Sequence, residues 1–337
     1  MPTNLLPPSC RWFSRSPGSG GRVRECKRHG GAAPGRRPRA AGSVSSLLLA
    51  LPALLALGCR LSGNEGPVPE SLATSRQLTQ RGVAALEQGH PAQAKQALAE
   101  AVRTSPIDPD ARRHYAEALW QSGNQGQAIV QMNEAVRLTP DDAVVRVRLA
   151  EMQLAAGDVD AARRNAAEAI DRNPKLPAAW AARARVMRAL GQPRRALADC
   201  HRALALAPDD RDLLMMTAEL YRHLNQPQRA LGTLHTLADT YLPGEEPHDV
   251  LVLQGFAYVA LGRYDDAVRA YQAALVHHPA SAEVLAHLAE AERMAGRPAD
   301  AAATARQALA LEPDHRESLA LLRQVETAAA EGDLYRR

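Results

Sequence analysis

The chain has 337 residues, 46% of them hydrophobic but only 4% aromatic. The apolar content is mostly Ala and Leu, and no Val/Ile/Thr run alternates, which argues against a sheet protein. The net charge of +4 comes from the N-terminus: setting aside nine Lys/Arg and one acid in residues 1–43 leaves 32 basic and 36 acidic residues in 59–337, so no nucleic-acid surface is indicated.

In chain order, residues 1–58 form a basic leader followed by an uncharged apolar segment, residues 44–58, that ends at Cys59. A basic region, a short apolar core and a small boundary residue make the pattern of a secretory signal. The segment contains Pro52 and falls short of the roughly 20 apolar residues that a membrane span needs. Leu55-Ala56-Leu57-Gly58-Cys59 resembles the lipobox of bacterial lipoproteins, although Ala56 and Leu57 stand in the reverse of the usual order. The resemblance implies lipidation of Cys59, which becomes the mature N-terminus. Ordinary secretion, an uncleaved anchor and absence of targeting remain alternatives. Residues 59–74 carry Gly, Pro, Ser, Asn and Glu without apolar periodicity and read as a flexible tether of roughly 20 Å.

From residue 75 the sequence keeps a fixed period. Pro106, Pro140, Pro174 and Pro208, and then Pro279 and Pro313, stand 34 residues apart within each group. Seventeen residues before each lies Gly89, Gly123, Gly157, Gly191, Gly262 or Gly296, with Asn225 in the remaining repeat. Gly and Asn adopt the left-handed conformation at least cost, so this column predicts the end of a first helix. Pro91, Pro193, Pro227 and Pro298 follow two residues later, where the first turn of a second helix tolerates proline. Alanine recurs five residues after the turn, at 94, 128, 162, 196, 230, 267 and 301, and a small residue seven before it, at 82, 116, 150, 184, 218, 255 and 289. These columns predict close helix pairs. Cys200 falls mid-helix among them and reads as inert packing.

In this order and spacing the columns resemble the tetratricopeptide repeat, most closely in residues 248–281 with Gly255, Tyr258, Gly262, Tyr264, Ala267, Tyr271, Ala274 and Pro279. The frames are 75–108, 109–142, 143–176, 177–210, 211–247, 248–281 and 282–315, followed by a capping helix at 316–330 and a tail at 331–337. The resemblance implies an all-α, right-handed α-solenoid of seven helix-turn-helix repeats whose first helices line a concave groove. Residues 241–247 add three residues to the period, predicting a longer loop and a local change of pitch.

Carried over from the family, the second, fifth, ninth and twelfth positions of each first helix would face that groove. They give Arg113, Glu117 and Trp120; Val144, Val147, Glu151 and Leu154; Arg185 and Arg188; Met215, Glu219 and Arg222; Val252, Phe256 and Val259; and Glu290 and Arg293. The Lys and Asn residues with which related repeats grip a chaperone tail are missing from the fifth position. Trp120 and Phe256 are the candidate anchors, with burial between repeats as the alternative. Trp180 matches the family's core aromatic and is assigned to packing.

The sequence has no P-loop, CxxC, HExxH, GxSxG or calcium loop, so no catalytic residue, cofactor or metal is expected. The reading is a non-enzymatic scaffold that holds a protein or peptide, lipid-anchored in the cell envelope and facing the periplasm or exterior. A soluble cytoplasmic adaptor and a non-catalytic subunit of a separate enzyme are the alternatives.

Overall fold

The structure, a computed structural model, describes residues 69–276 and 281–334. Fifteen helices and no strand occur among them. They are α1 (Glu70–Glu87), α2 (Pro91–Thr104), α3 (Pro109–Gln121), α4 (Gln125–Leu138), α5 (Ala143–Ala155), α6 (Val159–Arg172), α7 (Pro177–Ala189), α8 (Pro193–Leu206), α9 (Arg211–His223), α10 (Pro227–Ala238), α11 (His248–Ala260), α12 (Tyr264–Val276), α13 (Ala282–Met294), α14 (Pro298–Leu311) and α15 (Arg316–Leu334). Seven hairpins stack into an α-solenoid closed by α15. Each helix packs on the next, and α1 also touches α3, α5 touches α7, α9 touches α11 and α13 touches α15.

Every hairpin turns through one left-handed residue: φ is 75° at Gly89, 80° at Gly123, 87° at Gly157, 68° at Gly191, 55° at Asn225, 70° at Gly262 and 77° at Gly296. Two backbone bonds close each turn. In the first, the Gly89 N–H donates to Leu86 and the His90 N–H to Ala85, satisfying carbonyls that a helix end leaves without partners. The same pair of bonds recurs in all seven turns, as in Asn225 to Arg222 and Gln226 to Tyr221. Second helices α2, α8, α10 and α14 then begin on proline. Aspartates cap three first helices: Asp108, Asp142 and Asp210 accept backbone N–H bonds from α3, α5 and α9.

The alanine column is buried in all seven hairpins and sets how closely the helices approach. Opposing positions complement one another in size. Gly82 faces Leu98 and Gly255 faces Tyr271, where an added Cβ would lie 2.6 Å from Leu98 Cγ and 2.4 Å from Tyr271 Cε1. Elsewhere alanine takes this position, as in Ala184 with Cys200 and Ala218 with Leu234. Cys200 is fully buried, and burial pushes its thiol pKa up to about 11, as expected of an inert core residue. Core clusters cross hairpin boundaries: Ala116, Met132, Leu149 and Met152 join α3, α4 and α5. No hairpin therefore encloses a core of its own. Trp180 packs across two clusters, donates its Nε1–H to the Pro174 carbonyl at 2.8 Å, and has the guanidinium groups of Arg183 and Arg202 at 4.9 and 4.7 Å from its ring centroid.

Two expected boundaries are corrected. The tether read at 59–74 gives way to helix at Glu70, because Ser75 is buried where the first hairpin meets the second, its hydroxyl within hydrogen-bond distance of Asp108 Oδ2 (2.8 Å) and of the Ala101 carbonyl (3.1 Å). With that anchor the helix extends backwards to Pro69, carrying Glu70 in its positive first turn. At the other end α15 continues to Leu334, into the expected tail. The added residues before the sixth repeat lengthen a connection: nine residues, 239–247, join α10 to α11, against four between α8 and α9.

Gly255→Ala is expected to lower stability by about 1–3 kcal/mol through overpacking. Adding Tyr271→Leu should recover much of the loss by reproducing the Ala218–Leu234 pair; urea unfolding followed by circular dichroism reads both. Glu292 supplies a pH test. It is buried in α13 with one carboxylate oxygen lacking a hydrogen-bond partner, and burial above all raises its pKa, with Asp300 adding and Thr304 and Arg297 opposing. A carboxyl whose pKa rises on folding favours the folded state below its ordinary value and loses that contribution as pH climbs through the raised one. Glu292→Gln should therefore raise the melting temperature at neutral pH, with the gain closing as the pH falls towards 4.5.

Candidate partner-binding face

The face presented by the first helices is built from side chains one repeat apart. Arg148 on α5 reaches back to α3, its Nε donating to Glu117 Oε1 at 2.7 Å and its Nη2 to Glu117 Oε2 at 2.8 Å. Its remaining nitrogen meets Glu151 Oε2 at 3.3 Å, and Arg185 on α7 donates to Glu151 Oε1 at 3.0 Å. Arg188 then pairs with Glu219 on α9 at 2.7 Å, and Arg293 with Glu290 within α13. Partial burial alone would lower the Arg148 pKa, but Glu117 and Glu151 more than offset it and the pKa lies above the ordinary arginine value.

Apolar groups interrupt this ladder. Trp120 is half-buried, packed on the cluster of Ala116 and Met132. Phe256, also half-buried, meets Tyr271 edge-on at 5.9 Å and His287 at 4.7 Å between ring centroids. Burial lowers the His287 pKa, so the ring beside Phe256 is neutral at pH 7. Arg222 lies over the Phe256 ring at 5.6 Å. Beside them runs a narrow cleft between the fifth and sixth hairpins, lined by Ala218, Asn225, Pro227, Leu253 and Ala257 among others.

The residues expected on this face are therefore brought together only in part. Glu117, Glu151, Arg185, Arg188, Glu219, Arg222, Phe256, Glu290 and Arg293 join as described, while Arg113 pairs locally with Asp110 at 3.2 Å. Val144 is 55% exposed. Met215, Val252 and Val259 are half-buried on neighbouring clusters. Val147 is corrected: at 5% exposure it belongs to the core, packed with Ala143, Ala150, Ala166 and Ala179. Its position lies against the following hairpin, as the burial of Thr79, Ala181 and Ala286 also shows. Arg148 and His287, both at the sixth position, were not foreseen. Among the described residues no three His, Cys, Asp or Glu are grouped to hold a metal ion, and no helix is long and apolar enough to cross a membrane.

Models of the tetratricopeptide repeat match residues 79–143, 143–168, 187–248 and 252–316, together more than half of the chain. The chain belongs to the tetratricopeptide-repeat family. No curated protein matches it. Among solved structures it is similar to PilF of Pseudomonas aeruginosa, at 18% identity and a TM-score of 0.57 over 65% of this chain and 99% of that one. PilW, a type IV pilus biogenesis factor, matches at 18% identity and a TM-score of 0.57 over 62% and 96%. A tetratricopeptide repeat protein from Parabacteroides merdae matches at 13% and 0.54 over 75% and 99%. At these identities the likeness is one of fold.

Arg148→Ala should leave Glu117 and Glu151 facing each other across the α3–α5 contact and cost about 1–2 kcal/mol. Adding Glu117→Gln should return part of that, measured as the coupling energy of a double-mutant cycle in urea unfolding.

Proposed function

We propose that this tetratricopeptide-repeat chain is a non-enzymatic scaffold that holds a protein or peptide along its first-helix face. In this reading it is anchored by lipid at Cys59 to a membrane of the cell envelope and faces the periplasm or exterior. Cys59 lies outside the described residues, so the anchor rests on the lipobox-like sequence alone. The observation that carries the scaffold reading is the composition of the face: half-buried Trp120, Val252 and Phe256 stand among arginines and glutamates that already neutralise one another. A partner covering paired charges meets little net field, so binding energy concentrates on the apolar groups. The role described for PilW, in pilus biogenesis, is of the kind an envelope-anchored scaffold would serve.

Labelled fatty acid is expected to enter the wild-type chain but not Cys59→Ala, and cell fractionation should find the variant released from membranes. A wild-type chain that takes up no label refutes the anchor. Crosslinking in intact cells should capture a partner, with Trp120→Ala and Phe256→Ala each reducing capture about tenfold or more at unchanged helicity. Undiminished capture by both variants would place the binding surface elsewhere.

A further inference from the structure

Of the five arginines expected on this face, one has no carboxylate beside it. Arg113, Arg148, Arg185, Arg188 and Arg293 each have a carboxylate within ion-pair distance. Arg222, exposed near the end of α9, has no ion-pair partner among the described residues and rests on Phe256. A cation–π contact with an aromatic ring leaves a guanidinium unneutralised, and its planar donors stay suited to a carboxylate. Phe256 is itself braced by Tyr271 and His287, so the pair forms a firm support. The adjoining cleft is lined mainly by small and apolar side chains, Ala218, Leu253 and Ala257 among them, and opens beside Arg222. A carboxylate arriving at Arg185 would have to displace Glu151; at Arg222 no carboxylate of the described residues stands in its way.

We propose that Arg222, Phe256 and the cleft between the fifth and sixth hairpins form a subsite for a peptide segment carrying an Asp or Glu side chain next to an apolar one. The carboxylate accepts hydrogen bonds from the Arg222 guanidinium while the apolar side chain enters the cleft beside Leu253 and Phe256. Excluding water there strengthens the charge pair. This rests on the scaffold reading and narrows its partner to an acidic, apolar-containing segment.

The test is selection from random peptides, displayed with both ends blocked, against the immobilised full chain. Enriched sequences should share Asp or Glu adjacent to Leu, Phe, Tyr or Trp. Made as N-acetylated, C-amidated peptides, they should bind Arg222→Glu about tenfold more weakly, and replacing the peptide's acid with Lys should restore binding to that variant. Arg222→Gln serves as a second variant should the reversed charge disturb the ring beneath, and melting curves should stay close to wild type for both. Enrichment without the acidic–apolar pattern, binding indifferent to both substitutions, or no enrichment at all would overturn the subsite. The scaffold reading is decided separately, by capture in cells.

Discussion

The architecture depends on one backbone constraint, the left-handed residue that closes each hairpin. Two bonds back into the first helix require a positive φ there, and they reverse the chain within two residues. Reversal over so short a distance sets two antiparallel helices side by side at a fixed register. A buried alanine then lies at the contact in every repeat, and the bulkiest opposing side chain, Tyr271, is admitted where its opposite shrinks to glycine. Because the register is the same each time, the first helices come out at regular spacing, and side chains at equivalent positions meet across neighbouring hairpins.

That regularity turns a sequence period into an electrostatic one. Glu117 with Arg148 and Arg188 with Glu219 are separated by 31 residues, Glu151 with Arg185 by 34. Each pair spans adjacent hairpins, so the ladder both ties the stack together and quiets its own field. The pairs are partly exposed, and their individual contributions to stability are modest beside the apolar clusters that cross the same boundaries. Their larger effect is on recognition, since a neutralised face leaves apolar groups and any unmatched charge to distinguish one partner from another.

Most of the fold was legible in the sequence because its determinants are local and repeated. A turn residue, a proline at a helix start and an alanine at a contact each act through their own backbone, and recurrence at one spacing separates them from chance. The first five residues of α1 gave no such signal: they are mostly exposed and polar, and what holds the helix is Ser75 bonding to Asp108 a repeat away. The face was harder to read. Val147 and Met215 occupy the same position in their repeats, yet one is buried and the other half-open, because side chains of the next hairpin decide the space left to each. Arg148 escaped notice since its partner Glu117 lies on another helix; comparing acids and bases at an offset near one repeat would have found it. Cys59 and the lipobox-like run lie outside the described residues, and their reading stays a matter of sequence.

In a repeat array regularity is the background, and departures from it carry the information. Several departures meet at the fifth and sixth hairpins. Asn225 replaces glycine at the left-handed turn, the connection from α10 to α11 is lengthened, and Arg222 stands unmatched over Phe256. Asn225 tolerates the turn less well than glycine, so its presence calls for a reason beyond closing the hairpin. It lines the same cleft as Arg222 and Phe256, adding an amide to a wall that is otherwise mostly apolar. None of these features improves the stacking that the other hairpins achieve without them. The convergence of Asn225 and Arg222 at one cleft is what an array would show if a selected ligand, rather than the solenoid's own packing, had shaped this stretch.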